Sequence, residues 1–348
     1  MSTQDQRGVP VGVAHAQQQF RLLELPDSLL DLLASPKPPV LSIKSRPMPA
    51  TQSASAQQEQ ASAVLCTSNK TYHLRQVHTS NSVHLTQPAN LSAQPGISAI
   101  AKCGSVLEAH PVTESPVSSV REAITRIWHA ENWDGDGFAQ FSGAVVPKRK
   151  EDFFADIPFS DAECEQAWVE LCAFEHEDSP ALPTLPTLWT YWKTIFTTAV
   201  AEGTDLGAQF QIAHFAKTLE DEEGLLSGLV EAIFYRLLPD DQMAGDDWAA
   251  VDRVKCVPWV GRSLLAALDS HYRTARPTAE FLDLWRDALP EAWREDAQLE
   301  AIKGGYTLPS DHTIAPLGAS TLSSTTASSD SSKGPRKWHE RFKATRKQ

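Results

Sequence analysis

Several features that would assign a protein to a familiar class are missing from this sequence of 348 residues. It contains no run of 18 apolar residues, so we expect no transmembrane helix and no membrane partner. Residues 1–19 hold one basic residue and no apolar stretch, and we expect a disordered segment there, not a secretory signal. Walker A, GxSxG, HExxH and dinucleotide-binding motifs are also missing. We therefore predict neither an enzyme nor a bound cofactor.

Cysteine is scarce and irregularly spaced. Five cysteines occur, at positions 66, 103, 164, 172 and 256, and no two of them form a CxxC pair. An odd number without metal-ligand spacing is typical of reduced, buried thiols in a cytosolic or nuclear protein. The sequence therefore predicts neither a disulfide framework nor a zinc site.

Positive charge is scarce over most of the chain. The formal net charge is −13, and residues 151–332 alone hold 11 basic against 32 acidic residues. Residues 1–116 and 117–150 each carry a net charge of +1, whereas the last sixteen residues carry +6. This distribution argues against a protein whose whole surface binds DNA or an anionic membrane, and it confines any DNA contact to local basic segments.

The first 116 residues are rich in strand patterns. A short helix capped by Asp27 or Ser28 is expected near the start. About five short strands are expected after it, with a tight turn at Ser68-Asn69 and a Ser/Gln-rich flexible insert at 47–62. So few strands do not close a barrel by themselves, and the region is predicted to have exposed sheet edges.

The run KTYHLRQVHTSNSVHL (70–85) combines strand composition with three histidines. It could hold a metal, form the wall of an active site, or pair with another strand. His73 and His78 differ by an odd number of positions and would lie on opposite faces of a regular strand. No cysteine or carboxylate cluster completes a tetrahedral site. The metal interpretation is therefore disfavoured, and the other two remain open.

A second possible ion site lies in residues 132–137. Asn132, Asp134, Asp136 and Gly137 match positions 1, 3, 5 and 6 of a calcium-binding loop. Position 12 would be Gly143, which has no carboxylate to bind the ion. We therefore predict a turn in solvent at this place.

From residue 117 the pattern becomes helical. Ser119-Val-Arg-Glu122 and Ser160-Asp-Ala-Glu163 both fit capping boxes, and the first predicts a helix that continues through Trp128. Amphipathic helices then follow in groups, with room for a small hairpin after each group. This arrangement indicates tandem winged-helix domains, and a purely helical array is the alternative.

The chain ends in a basic segment with two aromatic residues, Trp338 and Phe342. A Ser/Thr-rich linker precedes it. The segment could contact DNA phosphates, act as a nuclear import signal, or form a last packed helix. Together with a basic triplet earlier in the chain, it supplies these candidate DNA-binding residues: Lys148, Arg149, Lys150, Lys333, Arg336, Lys337, Arg341, Lys343, Arg346 and Lys347.

The order of segments in this chain resembles a known family. FRLLELPDSLLDLL, LSIKS, AVLCTSNKTYHLRQVHTSNSVHL and ISAIAKCGSVLE resemble the N-terminal part of the Dcc (defective in sister chromatid cohesion) family. DIPFSDAECEQAWVEL, FLDLWRDALPEAW and AIKGGYTL resemble the C-terminal part of that family. The resemblance covers roughly residues 20–310.

The resemblance implies a non-enzymatic subunit of an alternative replication-factor-C clamp loader. In this family the N-terminal part joins the large and the small partner subunit in a shared triple β-barrel. The C-terminal part is a string of winged helices that can contact DNA. Any DNA contact of this chain through phosphates is expected to be independent of base sequence. The assembled module docks the loader on DNA polymerase epsilon, and the loader acts on the sliding clamp PCNA in the nucleus.

With that resemblance, the run 70–85 is best interpreted as a pairing strand. Tyr72, Leu74 and Val77 would face a core, and the segment 80–82 would form a turn or a polar edge contact. The candidate partner-binding residues are Leu65, Tyr72, Leu74, Arg75, Val77, Ser80, Asn81 and Ser82.

The expected fold class is therefore α+β, with a β-rich head followed by tandem winged helices. The predicted domains are a disordered N-terminus (1–19), the head (20–116), three winged-helix regions (117–202, 203–273 and 274–318), a linker (319–332) and the tail (333–348). The linker could leave the third winged helix incomplete. We call residues 117–318 the body.

The predicted function is that of an adaptor, which joins partner subunits and anchors the loader to DNA and the leading-strand polymerase during replication and cohesion. A free-standing winged-helix DNA-binding regulator is the first alternative, and an unrecognised enzyme with a convergent polar pocket is the second. The regulator would need a basic recognition helix, for which the acidic body offers few candidates.

Overall fold

A computed structural model describes residues 8–46, 63–91, 94–131, 138–240, 242, 248–272 and 275–317. The insert 47–62, the calcium-like loop 132–137 and the tail lie outside the described residues. The described residues form both helices and β-sheets, which agrees with the predicted α+β class. None of the described helices is long and apolar enough to cross a membrane.

One sheet, which we call the head sheet, dominates residues 8–116. Its strands are β1 (Val11–Val13), β2 (Leu22–Glu24), β3 (Ser42–Ser45), β4 (Ala63–Cys66), β5 (Thr71–Leu91) and β6 (Gln94–Pro111). The strand order is β1-β6-β5-β4-β3, and β2 also pairs with β6. β1 and β2 run parallel to β6, and the other neighbours are antiparallel. The segment expected to be disordered therefore contributes β1.

The hairpin of β5 and β6 is much longer than the separate short strands expected from the sequence. Its pairing on β5 continues from Tyr72 to Leu91. The register shifts between His78 and Val83, so the Ser80-Asn81-Ser82 segment lies in a bulge of a continuous strand. The turn that was one expectation for this segment does not occur, because β6 supplies backbone partners on both sides of the bulge.

A single short helix packs against the described part of the head sheet. α1 (Asp27–Leu33) buries Leu29 completely, among Leu65, Tyr72 and Leu74 of the sheet. Its N-cap is Pro26 and no side chain caps it, so the expectation that Asp27 or Ser28 would do so is wrong. Pro26 holds the extended conformation from which the helix begins.

The first group of the body combines three helices with a small sheet. Its elements are α2 (Val117–Ala123), β7 (Ile127–Glu131), β8 (Phe138–Ser142), α3 (Lys150–Asp156), α4 (Asp161–Glu170), β9 (Phe174–Glu175) and β10 (Pro180–Pro183). The strand order is β8-β7-β10-β9. The two inner strands, β7 and β10, pair in parallel.

The two predicted capping boxes have opposite outcomes. The helix at Ser119 begins at Val117 with Pro116 as N-cap, and it ends at Ala123. Trp128 lies in β7, not in that helix, because β7 has strand partners on both sides. The box at Ser160 is confirmed: its hydroxyl accepts a hydrogen bond from the Glu163 amide, and the Glu163 carboxylate accepts one from the Ser160 amide.

The second and third groups repeat a similar order of elements. The second contains α5 (Leu185–Glu202), β11 (Phe210–Gln211), α6 (Ile212–Glu223), α7 (Ser227–Leu237) and β12 (Trp248–Ala249). The third contains α8 (Arg253–Tyr272), β13 (Arg276–Pro277), α9 (Thr278–Asp287), the 3-10 helices Glu291–Asp296 and Leu299–Ile302, β14 (Tyr306–Ser310) and β15 (Thr313–Pro316). β11 pairs with β12, and the last sheet has the order β13-β15-β14.

The main hydrophobic core lies in the body. One cluster of forty buried residues runs through the second and third groups and reaches the sheet of the first. At its centre, the fully buried Trp192 of α5 donates an indole hydrogen bond to the carbonyl of Ala288 at 2.9 Å. A second cluster fills the first group. The three groups therefore pack as a continuous unit.

Candidate partner-binding edge and basic segments

The outer edge of β5 is covered over only a short length. β4 pairs with Thr71 through Leu74. From Arg75 to Leu91, none of the described strands pairs with this edge, although β6 pairs with the other edge along its length. An edge of this kind presents backbone amides and carbonyls to which another strand can bind. We call β5 from Arg75 to Leu91 the open edge.

The residues predicted to bind partners fall into two sets. Leu65, Tyr72 and Leu74 are buried in the core of the head, beneath α1, and stabilise the head itself. Val77 differs from Leu74 by an odd number of positions, so it lies on the opposite face of β5 and not in that core. Val77 is half-buried and Arg75 is exposed, and both belong to the open edge.

The polar segment predicted to contact partners lies at the bulge of β5. Ser80 and Asn81 are exposed there, and Ser82 belongs to the same strand. Val83, directly after the bulge, is 40% exposed. The open edge therefore presents both polar groups and an apolar side chain.

Apolar side chains are also exposed elsewhere in the head sheet. Val11 and Val13 of β1, at one side of the sheet, are 68% and 72% exposed. Ile43 of β3, at the other side, is 70% exposed. Exposed β-branched residues on edge strands are typical of surfaces that another chain covers.

Lys44 joins the head to the body. Its ammonium group donates hydrogen bonds to the carbonyls of Phe154 (2.9 Å) and Phe159 (2.7 Å), and it lies 3.1 Å from the Asp161 carboxylate. Phe154 lies in the last turn of α3, Phe159 lies in the segment between α3 and α4, and Asp161 begins α4. Because the Lys44 side chain is only 10% exposed, these contacts hold β3 against the first group.

A second junction forms around the confirmed capping box. The buried Thr71 hydroxyl donates to the Glu163 carboxylate at 2.5 Å and accepts a hydrogen bond from the Ser160 amide at 2.7 Å. The base of β5 is therefore fixed to the start of α4. Sequence reasoning recognised Ser160 and Glu163 as a helix start, but it missed Lys44 and Thr71, whose only local signal was a polar residue within a strand pattern.

The basic triplet 148–150 is largely engaged with neighbouring carboxylates. Lys148 forms an ion pair with Asp156. Lys150 lies 2.7 Å from the Glu165 carboxylate and 5.2 Å from the centre of the Trp168 ring. Arg149 is exposed. These ion pairs reduce the positive field that the triplet offers to phosphates, and its role in DNA binding stays a prediction.

The tail residues predicted to bind DNA, from Lys333 to Lys347, lie outside the described residues, as do the calcium-like positions 132–137. Among the residues that the structure describes, no group of three or more His, Cys, Asp or Glu side chains could hold a metal ion. For the whole chain, the absence of a metal site stays a prediction.

Burial favours the neutral forms of His73 and of four cysteines: Cys66, Cys164, Cys172 and Cys256. All five thiols are free and buried, and burial raises the pKa of Cys164 and of Cys172 to about 12. Such thiols are poor nucleophiles at neutral pH. Burial, and then the Arg46 guanidinium at 3.2 Å from its ring, lower the pKa of His73. None of these groups has the arrangement of a catalytic site.

Comparison with models of protein families assigns most of the chain to a family. The family model described as sister chromatid cohesion protein Dcc1 matches residues 20–329. No match was found among curated proteins. The matched range includes the whole head and all three groups of the body, and it ends before the tail.

Proposed function

The chain belongs to the Dcc1 family of sister chromatid cohesion proteins, and from this premise we propose that it is the adaptor subunit of an alternative replication-factor-C clamp loader. The family indicates a role in cohesion and in a complex. We propose that the head joins the large and the small loader subunits, and that the body helps to anchor the loader to DNA and DNA polymerase epsilon. ATP hydrolysis and PCNA loading would belong to other subunits, and the site of action would be the nucleus.

The observation that carries this proposal is the open edge of β5. The open edge runs from Arg75 to Leu91, and none of the described strands pairs with it there. On the other side of β6, the described sheet is extended only by the three-residue strands β1 and β2, so this part of the sheet is narrow and its β5 edge is left for another strand to pair with. Strands from two partners would cover both faces and edges, which is the arrangement that a shared triple β-barrel requires.

The body supports a winged-helix interpretation. In the third group, the order α8, β13, α9, helical segment, β14 and β15, with β13 paired to β15, is the order of a winged helix. This group is complete at Pro316, so the tail is not needed to finish it. We propose that the second and third units begin at α5 and α8, instead of at residues 203 and 274.

A partner role for the winged helices is favoured over sequence-specific DNA binding. Among the segments in the recognition position, α7 carries one acidic and one basic residue. The other segments, α4 and the 3-10 helices, carry one basic residue, Arg294, against eight acidic ones: Asp161, Glu163, Glu165, Glu170, Glu291, Glu295, Asp296 and Glu300. Acidic helices repel phosphates. A free-standing DNA-binding regulator is therefore the weaker candidate, and the tail is the densest basic segment left for DNA contact.

The partner proposal can be tested by one substitution on the open edge. Val83→Lys places a charge where a partner strand would pack. We expect it to weaken co-purification with the two loader subunits by about tenfold or more, since an unpaired charge buried in the strand interface costs more than the roughly 1.4 kcal/mol that a tenfold change requires.

The matched control is Val200→Lys on α5, because Val200 is 64% exposed and lies far from the head in sequence. It should leave co-purification unchanged. Equal binding by the Val83→Lys variant would contradict the role of the open edge.

The DNA proposal is tested by deleting residues 333–348. A tail that neutralises about four phosphates should give a log–log salt slope of roughly −3 to −4 on duplex DNA. Deletion should flatten this slope and leave partner assembly intact. If the shortened chain bound DNA with the same affinity and slope, the body would be the DNA-binding part.

A further inference from the structure

The body has an apolar groove at the surface between α5, α8 and α9. It has a volume of about 260 Å³. Leu264 and Trp189 form buried walls, Phe196 is half-buried, and Leu284 is 38% exposed. The carboxylate of Asp287 lies at its rim. The groove therefore combines an apolar floor with negative charge.

This groove continues into a neighbouring depression. Thr190, Lys193 and Thr197 of α5 line both, and Glu223 lines the second one. The two depressions together contain one basic side chain, Lys193, and two carboxylates. A ligand with aromatic groups and a net positive charge would match this lining better than an acidic one.

We propose that this groove binds the tail of the same chain, residues 333–348. The tail carries a net charge of +6, and residues 151–332 carry −21. Trp338 and Phe342 are four positions apart, so on a helix they would lie on one face, with arginine and lysine residues around them. An amphipathic segment in an apolar groove is a recurring mode of recognition.

The length of the chain permits this contact. The described residues end at Leu317, directly after β15, and β15 packs against α8 and α9, which form one side of the groove. Residues 318–332 separate that point from the tail, and fifteen residues can span up to about 50 Å. A tether of this kind gives the tail an effective concentration in the millimolar range near the groove. A low intrinsic affinity of the groove for the tail is therefore sufficient for the contact to form.

The inference goes beyond the proposed function and does not depend on DNA binding by the tail. The matched family range ends at residue 329, so the proposed contact joins a family fold to a segment outside that range. It also gives the tail two alternative positions, one on its own body and one on DNA.

The test places a photo-reactive benzoylphenylalanine at position 338 of the full chain and maps cross-links by mass spectrometry. We expect an intramolecular cross-link to α5 or α9. Leu284→Lys should reduce its yield severalfold, since it places a charge where the aromatic residues of the tail would pack. Leu308→Lys is the matched control, because Leu308 is an exposed leucine of β14 outside the groove.

A second pair of variants distinguishes a lost contact from a folding defect. Asp287→Lys reverses an exposed charge at the rim and should also lower the yield, whereas Asp311→Lys in the β14–β15 turn should not. An unchanged urea midpoint shows that each variant is folded. Cross-links only to other parts of the body, or only between two copies, would overturn the proposal, as would a yield unaffected by both groove variants.

Adding duplex DNA separates this inference from the DNA proposal. If the tail binds both, DNA should reduce the intramolecular cross-link. A yield that DNA does not change would contradict the DNA role of the tail and would support an exclusive contact with the groove.

Discussion

The head and the body bury their side chains to very different extents. The core of the head contains five buried residues, whereas the main cluster of the body contains forty. Of the nineteen large hydrophobic residues that are exposed among the described residues, ten lie in residues 8–116, which is the smaller part of the chain. The body can therefore be stable by itself, whereas the head exposes apolar surface that a partner would cover.

The difference follows from how each region covers its sheets. In the body, each small sheet has helices against it, and the three groups share apolar side chains. In the head, one short helix packs against one end of the sheet, and the long hairpin extends beyond both β4 and α1. A sheet without a covering layer has few places to bury apolar residues.

The largest expected effect concerns amide exchange. In the chain alone, amides of α5 and α8 should exchange by global unfolding, whereas those of β5 from Arg75 to Leu91 should exchange much faster through local opening. Adding both loader subunits at about 100 times the dissociation constant should slow exchange in β5 by about 100-fold. Mass spectrometry of exchanged peptides measures this. Strong protection of residues 75–91 without partners would remove the contrast between head and body.

The next effect tests the core of the body. Trp192→Ala removes a fully buried indole and its hydrogen bond to Ala288. We expect a loss of about 3–5 kcal/mol in the free energy of unfolding. Urea denaturation followed by circular dichroism measures it. Trp248→Ala is the control, because Trp248 is 55% exposed, and its effect should stay within about 0.5 kcal/mol.

A smaller effect tests the junction between the two regions. Thr71→Val removes the hydroxyl that bonds to Glu163 and to the Ser160 amide. The expected cost is about 1–3 kcal/mol, because buried polar groups lose a partner. Thr86→Val, at an exposed position of the same strand, should be nearly neutral. If Thr71→Val were equally neutral, the contact of Thr71 with the body would not contribute to the stability of the head.

The smallest effect depends on pH. Because the pKa of His73 is lowered by burial and by Arg46, the unfolded chain binds a proton at His73 more readily than the folded chain. Stability should therefore fall as the pH drops below about 6.5, the usual value for histidine. His73→Gln should reduce this fall in urea midpoints measured at several pH values. Thr86→Val, at an exposed position of the same strand, is the control and should leave this fall unchanged.

Local signals in the sequence predicted part of this structure well. The capping box at Ser160 needs only residues within one helical turn, and it is present as expected. The α+β class and the amphipathic helices also follow from local patterns. The box at Ser119 failed because Pro116 starts the helix earlier, and Trp128 was assigned to a helix because its strand partners are distant in sequence.

Other features depend on contacts that no local pattern specifies. β1 is three residues long and pairs in parallel with β6, more than eighty positions later. The open edge of β5 was predicted only as a shortage of strands, because the sequence does not say where β4 stops pairing. Val77 was placed in the core, although alternation puts it on the opposite face from Leu74. The contacts of Lys44 likewise appear only after the head and body are folded together.

The length of the hairpin of β5 and β6 also determines how far a tilt at its base would move its tip. Its 21-residue strand has a contour length of about 70 Å. Thr71 ties its base to α4, whereas the described contacts of its distal part are with β1 and the segment that follows β1, within the head. A rotation of about 5° at the base would move the tip by up to about 6 Å over that length. A small rearrangement of the first group of the body would thus be amplified into a large displacement of whatever is attached to the hairpin.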